Sequence, residues 1–112
     1  MHRVIKPLSL FLVMACSSVS ANEATDALMA SNGCINCHGF DGMPDAGAIP
    51  SIAGLRREYL LRILFGYRDG SLKGTIMNRV MERVDDATVS LLADRFSSIK
   101  VDSQQGRGRA DE

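Results

Sequence analysis

The sequence predicts an all-α domain, and three observations carry that prediction. Apolar residues recur at helical offsets over residues 56–67 and again over residues 87–100. No stretch alternates apolar and polar residues as a half-buried strand does, and Gly, Pro and Asp gather between the periodic segments. Three main helices follow, in a chain of 112 residues that buries little apolar surface and therefore calls for a staple or a cofactor.

Residues 1–21 read as an export leader: His2, Arg3 and Lys6 precede an apolar run over residues 8–15, and Val19, Ser20 and Ala21 are small residues suited to signal peptidase. The run is too short for a spanning helix, which needs about 20 residues. Cleavage after Ala21 leaves residues 22–112. Arg3 and Lys6 then drop out of 13 basic residues against 13 acidic ones, for a formal charge of −2. No basic stripe remains for nucleic acid. Val13-Met14-Ala15-Cys16 also resembles a lipoprotein cleavage box, in which Cys16 carries a lipid, although such boxes prefer Leu in place of Val13. Two placements stay open: free in the periplasm, or anchored by lipid and facing the periplasm, with membrane contact only in the second.

Residues 23–32 open with acids and good helix formers and stop at Gly33, giving a first helix. Residues 34–54 hold Gly, Pro and Asp without sustained period and are expected to be loop. In residues 56–67, Tyr59, Leu60, Ile63, Leu64 and Tyr67 share one face, and Asp69-Gly70 marks a turn. Residues 70–83 form a second loop or a short helix containing Met77. Asp85 or Asp86 caps the last helix, residues 87–100, whose apolar stripe is Val89, Leu92, Ala93, Phe96 and Ile99, with Lys100 near the end of its dipole. Residues 101–112 have no apolar period and read as a disordered tail, which leaves residues 22–100 for the domain.

Cys34-Ile35-Asn36-Cys37-His38 is the C-x-x-C-H signature of c-type haem attachment. Two thiols three positions apart can each add to one vinyl group, and the next residue brings its imidazole to the iron. The alternatives are poorer: a structural zinc wants four ligands, and a thioredoxin-like redox pair wants a βαβ frame. Once the leader is removed His38 is the only histidine, so a second axial ligand in the same chain has to be something else. Among the methionines, Met29 lies in the first helix as a packing residue and Met43 is too close to His38 to reach the far face. Met77 and Met81 both have enough chain, and spacing does not separate them.

Ile49-Pro50-Ser51-Ile52-Ala53-Gly54-Leu55, Glu58-Tyr59-Leu60-Leu61, Tyr67-Arg68-Asp69-Gly70 and Thr75-Ile76-Met77-Asn78-Arg79 resemble the short class I cytochromes c, a group that includes the cytochrome subunit of flavocytochrome c sulfide dehydrogenase. The resemblance covers roughly residues 30–100 and implies the small class I fold, three main helices wrapped around one covalent haem c. In that group the ligand methionine lies in a Met-x-Arg stretch eight residues before the cap of the last helix. That description selects Met77 and leaves Met81 as pocket lining. The group also implies that a proline carbonyl, here that of Pro50, accepts a hydrogen bond from Nδ1 of His38. The implied site is Cys34, Cys37, His38, Met77 and Pro50, with His38 and Met77 on the metal.

An iron with both axial positions filled is a carrier rather than a catalyst, so no catalytic residue is expected. The implied function is one-electron transfer between redox proteins. It takes one of two forms, the cytochrome subunit of a sulfide-oxidising flavoprotein or a freely diffusing carrier feeding a terminal oxidase; the alternative from a different class is a small haem enzyme. Ile35, Phe40, Met43 and Ile49 are expected to form an apolar docking patch. Arg56, Arg57, Arg62 and Arg68 meet a propionate or an acidic partner, or simply solvate a helix face. Leu28 is expected against Leu92 or Phe96, with Leu60, Ile63 and Leu64 beside the macrocycle.

Overall fold

The computed structural model describes residues 18–45 and 47–102. Most of the leader, Cys16 and the tail from residue 103 onward lie outside the described residues. Those that are described form five helices and no strand. Three are long, as the apolar periods require, and two are single turns.

Helix α1 is Ala21–Ser31. It begins two residues earlier than the acidic run suggests, because Ser20 and Glu23 make a reciprocal cap. The Ser20 hydroxyl accepts from the Glu23 amide at 3.4 Å, and the Glu23 carboxylate accepts from the Ser20 amide at 3.1 Å. Met29 is the fully buried core residue of α1, and Leu28, half-buried, packs against the same core that holds Leu92 and Phe96. Buried Thr25 satisfies its hydroxyl on the Ala21 carbonyl at 2.8 Å.

Helix α2 is Cys34–His38, where loop was expected. It is one turn, closed by the Gly39 amide on the Ile35 carbonyl at 3.2 Å, and too short for any period to announce it. Helix α3 is Arg57–Asp69, ending at Gly70. Its inner face is Leu60, Leu64 and Gly66, while Tyr59 sits at the exposed edge of the stripe. Helix α4, Met77–Met81, is the short helix foreseen as one option for residues 70–83. Helix α5 is Asp86–Ser98. Asp85 caps it by accepting from the Thr88 amide at 2.8 Å and the Thr88 hydroxyl at 3.0 Å. The helix ends before Lys100, so Arg95 is the basic residue of its last turn.

Helix α5 is the central element, packed on α1 and on α3, and α4 packs on α3. Val89, Leu92, Ala93 and Phe96 of α5 meet Met29, Leu60, Leu64, Met81 and Val84 in one core. Each large side chain there is worth about 1.5–3 kcal/mol on burial. Polar ties lock the same pairs. Arg95 holds Asp26 of α1 at 2.7 Å, and Arg57 of α3 pairs with Asp94. Arg68 stacks on Phe65 and reaches both the Val84 carbonyl at 3.0 Å and Asp86 at 2.6 Å, pinning the end of α3 to the start of α5.

Candidate haem site

The long loop between α2 and α3 is organised by one carbonyl. Gly42 O accepts from the Ile52 amide at 2.9 Å, the Ala53 amide at 3.3 Å and the Ser51 hydroxyl at 3.2 Å. The loop is thereby folded back on itself, and its Gly54 amide is tied to Phe96 O of α5 at 2.8 Å. Pro50 lies in this loop, and its carbonyl stands 2.9 Å from Nδ1 of His38. A carbonyl can only accept, so Nδ1 carries the proton, which in the neutral tautomer leaves the Nε2 lone pair free for a metal. His38 is buried, at 7 % exposure.

A cavity of about 310 Å³ opens beside this imidazole. Helix α2 contributes Cys34, Cys37 and His38, the loop contributes Ala48, Ile49, Pro50 and Ile52, and α4 contributes Met77, Val80 and Met81. Leu64, Tyr67, Leu92 and Phe96 add the inner wall, and Gly74, Thr75 and Ile76 the outer one. The volume lies in the range of cofactor cavities, about 300–1,000 Å³. Cys34 is half-buried and its thiol is pushed up by that burial, an effect a backbone hydrogen bond partly offsets; Cys37 is exposed. Neither is in a disulfide.

All five residues expected at the site border this one cavity. Of the residues expected beside a macrocycle, only Leu64 does; Leu60 is turned into the core. The wall formed by Gly74, Thr75 and Ile76 was missed in the sequence because that stretch has no period. The double role of Leu92 and Phe96, core and cavity at once, left no separate signal either. Of the expected docking patch, Phe40 is 64 % exposed, while Ile35, Met43 and Ile49 are half-buried. Ile76, at 56 % exposed on the cavity rim, is a larger apolar surface than those three. The arginine group divides: Arg57 and Arg68 are engaged within the chain, and Arg62 lies over the Tyr59 ring.

The donor set fits haem. An imidazole oriented through Nδ1, two free thiols and two thioethers line one largely apolar cavity. Among the described residues no group of three His, Cys, Asp or Glu side chains gathers as a metal site, and no buried side-chain polar atom is left without a partner. No protein-family model matches the chain. Cytochrome c-553 of Nitratidesulfovibrio vulgaris (strain Miyazaki F) is 31% identical over 103 residues, which span 88% of this chain and 100% of that protein.

The chain belongs to the cytochrome c family. The cytochrome therefore carries covalently held haem c and is an electron-transfer protein rather than an enzyme. It is also similar to the cytochrome subunit of sulfide dehydrogenase of Chlorobaculum tepidum, at 33% identity over 66 residues and 59% of each chain. Among solved structures it resembles cytochrome c4 of Acidithiobacillus ferrooxidans, with a TM-score of 0.63 and 25% identity. That likeness covers 76% of this chain and 53% of the other, so the cytochrome spans about half the length of that relative. The helical class I fold is shared. Among the described residues, no helix of the cytochrome is long and apolar enough to cross a membrane.

Proposed function

We propose that this cytochrome is a periplasmic one-electron carrier whose single haem is bound through Cys34 and Cys37 and ligated by His38 and Met77. The observation that carries the reading is the convergence of these four side chains on one apolar cavity, with the His38 ring held by the Pro50 carbonyl at 2.9 Å. When bound, haem c supplies an iron that exchanges one electron between its ferric and ferrous forms. The chain's own residues fix the conditions for that exchange. The Pro50 carbonyl holds the His38 ring in one tautomer and makes Nε2 a stronger donor. A thioether from Met77 favours the ferrous form relative to a second nitrogen. Leu64, Leu92 and Phe96 keep water from the cavity's inner wall.

Met77 is preferred to Met81 because Met81 is 1 % exposed and committed to the core, whereas Met77 is half-buried at the start of α4. Residues 1–21 act as an export leader, residues 22–100 form the domain, and residues 101–112 are a tail. Lipidation at Cys16 is the alternative processing route. The proposed partner is a flavoprotein that oxidises sulfide, a reading supported by the similarity to the sulfide dehydrogenase cytochrome subunit. A carrier diffusing to a terminal oxidase is the second reading.

Visible absorbance tests the site. Cys37→Ala yields a single-thioether haem or none, and a normal two-thioether spectrum would refute the attachment. Met77→Ala abolishes the weak absorbance at the red end of the oxidised spectrum, and Met81→Ala leaves it. Stable co-elution with a flavin chromophore from a periplasmic extract supports the subunit reading; elution alone supports the diffusing carrier.

A further inference from the structure

One polar side chain next to the cavity does a job that the proposed haem ligation does not use. Asn78, half-buried in α4, engages three backbone groups, one at the end of α3 and two in the segment that follows it. Its Oδ1 accepts from the Gly74 amide at 2.9 Å, and its Nδ2 donates to the Tyr67 carbonyl of α3 and to the Leu72 carbonyl, both at 2.7 Å. Three of the four hydrogen bonds an asparagine can make are thus filled, two on the segment between α3 and α4 and one on the end of α3.

Those partners bracket the segment between α3 and α4. Residues 71–76 are exposed and contain no helix, yet Gly74, Thr75 and Ile76 form the outer cavity wall and lead into Met77. The segment is also held by the Leu72 amide on the Gly66 carbonyl at 3.0 Å, by the Ser71 amide on Asp69 at 2.8 Å, and at its far end by the Ile76 carbonyl, which accepts from the Arg79 amide at 3.0 Å and the Val80 amide at 3.2 Å. Packing draws the wall close as well. A Cβ on Gly74 would stand 2.8 Å from Cε1 of Tyr67 and 3.5 Å from Cβ of Met77. The Gly74 backbone therefore presses on the Tyr67 ring at the entry to α4, and the Asn78 amide is the link that fastens it there.

We propose that Asn78 is a positioning residue for Met77: it staples residues 72–74 to the end of α3 and so keeps the Met77 thioether seated on the iron. The proposal rests on the reading of Met77 as the second axial donor. Removing the amide leaves Met77 in the chain but loosens the wall that carries it. With haem bound, a loosened wall would let small anions reach the iron more readily than in wild type.

Azide titration of the oxidised holoprotein, followed by absorbance, tests this in wild type, Asn78→Ala, Asn78→Asp, Met77→Ala and Met29→Ala. Met29 lies outside the cavity lining and reports on general loss of stability. Asn78→Ala is expected to keep both thioethers, to weaken the red-end band, and to bind azide at least tenfold more tightly than wild type. Asn78→Asp is expected to do the same, because its carboxylate faces two carbonyl oxygens. Met29→Ala stays within twofold of wild type. If Met77→Ala loses the band while both Asn78 variants bind azide like wild type, Asn78 does not position the ligand and Met77 still stands. If Met77→Ala keeps the band, the ligand reading fails and this inference with it. Azide binding by Met29→Ala as tight as by Asn78→Ala overturns the proposal in favour of general loosening. Amide exchange in the wild-type holoprotein needs no variant: the Gly74 amide should exchange slowly for so exposed a segment, and an unprotected Gly74 amide overturns the staple.

Discussion

Gly42→Ala is the substitution on which the loop architecture stands or falls. Gly42 has φ +75°, a conformation in which any Cβ crowds its own carbonyl. That costs about 1–2 kcal/mol. The new methyl would also meet Phe96 Cδ1 at 3.0 Å, the Ala53 nitrogen at 3.1 Å and Ile52 Cγ1 at 3.3 Å. None of these can retreat easily. Phe96 is 2 % exposed in the core, and the Ala53 nitrogen is bonded to the carbonyl of Gly42 itself. Crowding of a packed site adds about 1–3 kcal/mol, so the total loss is about 2–5 kcal/mol. At roughly 4–8 °C per kcal/mol for a domain this size, the unfolding midpoint of the holoprotein followed by helical circular dichroism should fall by about 8–40 °C. Gly47→Ala is the control, since a Cβ there meets nothing within 4 Å; it should change stability by no more than about 0.5 kcal/mol. A Gly42→Ala protein within about 1 kcal/mol of wild type would refute the claim that this loop is rigidly determined around the Gly42 carbonyl.

Three further outcomes follow from the packing and the caps. Met29→Ala empties a fully buried site between α1 and α5 and should cost about 2–5 kcal/mol in urea unfolding, with little change in the absorbance of the haem. A double-mutant cycle on Asp26 and Arg95, a partly exposed pair, should give a coupling of about 1 kcal/mol that falls as salt is raised. Asp85→Ala removes the cap of α5, and its effect depends on pH. The Thr88 amide and hydroxyl hold the Asp85 carboxyl below its ordinary value. The stability it contributes is therefore full above the unfolded carboxyl pKa, about 3.9, and is lost as pH falls through the lower folded value. Wild type should melt higher than the variant at pH 7, and the gap should close in strong acid.

The last helix was legible to within two residues at its end, because an apolar stripe gives phase and a capping Asp85 or Asp86 gives the start independently. The centre of α3 was legible for the first of these reasons, and its end from Asp69-Gly70. Helix α2 was not, since five residues between two glycines carry no period and their turn is fixed by what it packs against. The choice between Leu28 and Met29 illustrates a second limit. Neighbours on a helix differ by about 100° in direction, and a short, weakly amphipathic segment does not say which of them faces inward. The partners of Arg57 and Arg68 lie in α5 and the segment leading to it, far along the chain, and no local pattern encodes them. At the site, Cys34, Cys37 and His38 announce themselves by spacing. The wall at Gly74, Thr75 and Ile76 exists only once Asn78 and Gly66 have folded it into place.

If the proposed leader is removed, the cap at Ser20 makes the order of maturation matter. A cut after Ala21 would break a bond in the first turn of α1, remove the capping hydroxyl, and leave an α-amino group at the positive end of the helix dipole. A cut ahead of Cys16 would spare the whole cap. Peptidases take extended substrate, so the first route has to run before α1 closes, while the second does not compete with folding. The two routes also leave proteins of different strength: the one beginning at residue 22 should be weaker by about 1 kcal/mol, the worth of a helix cap. A comparison of proteins beginning at residues 16 and 22, each with its haem attached, would read that difference directly as a shift in unfolding midpoint.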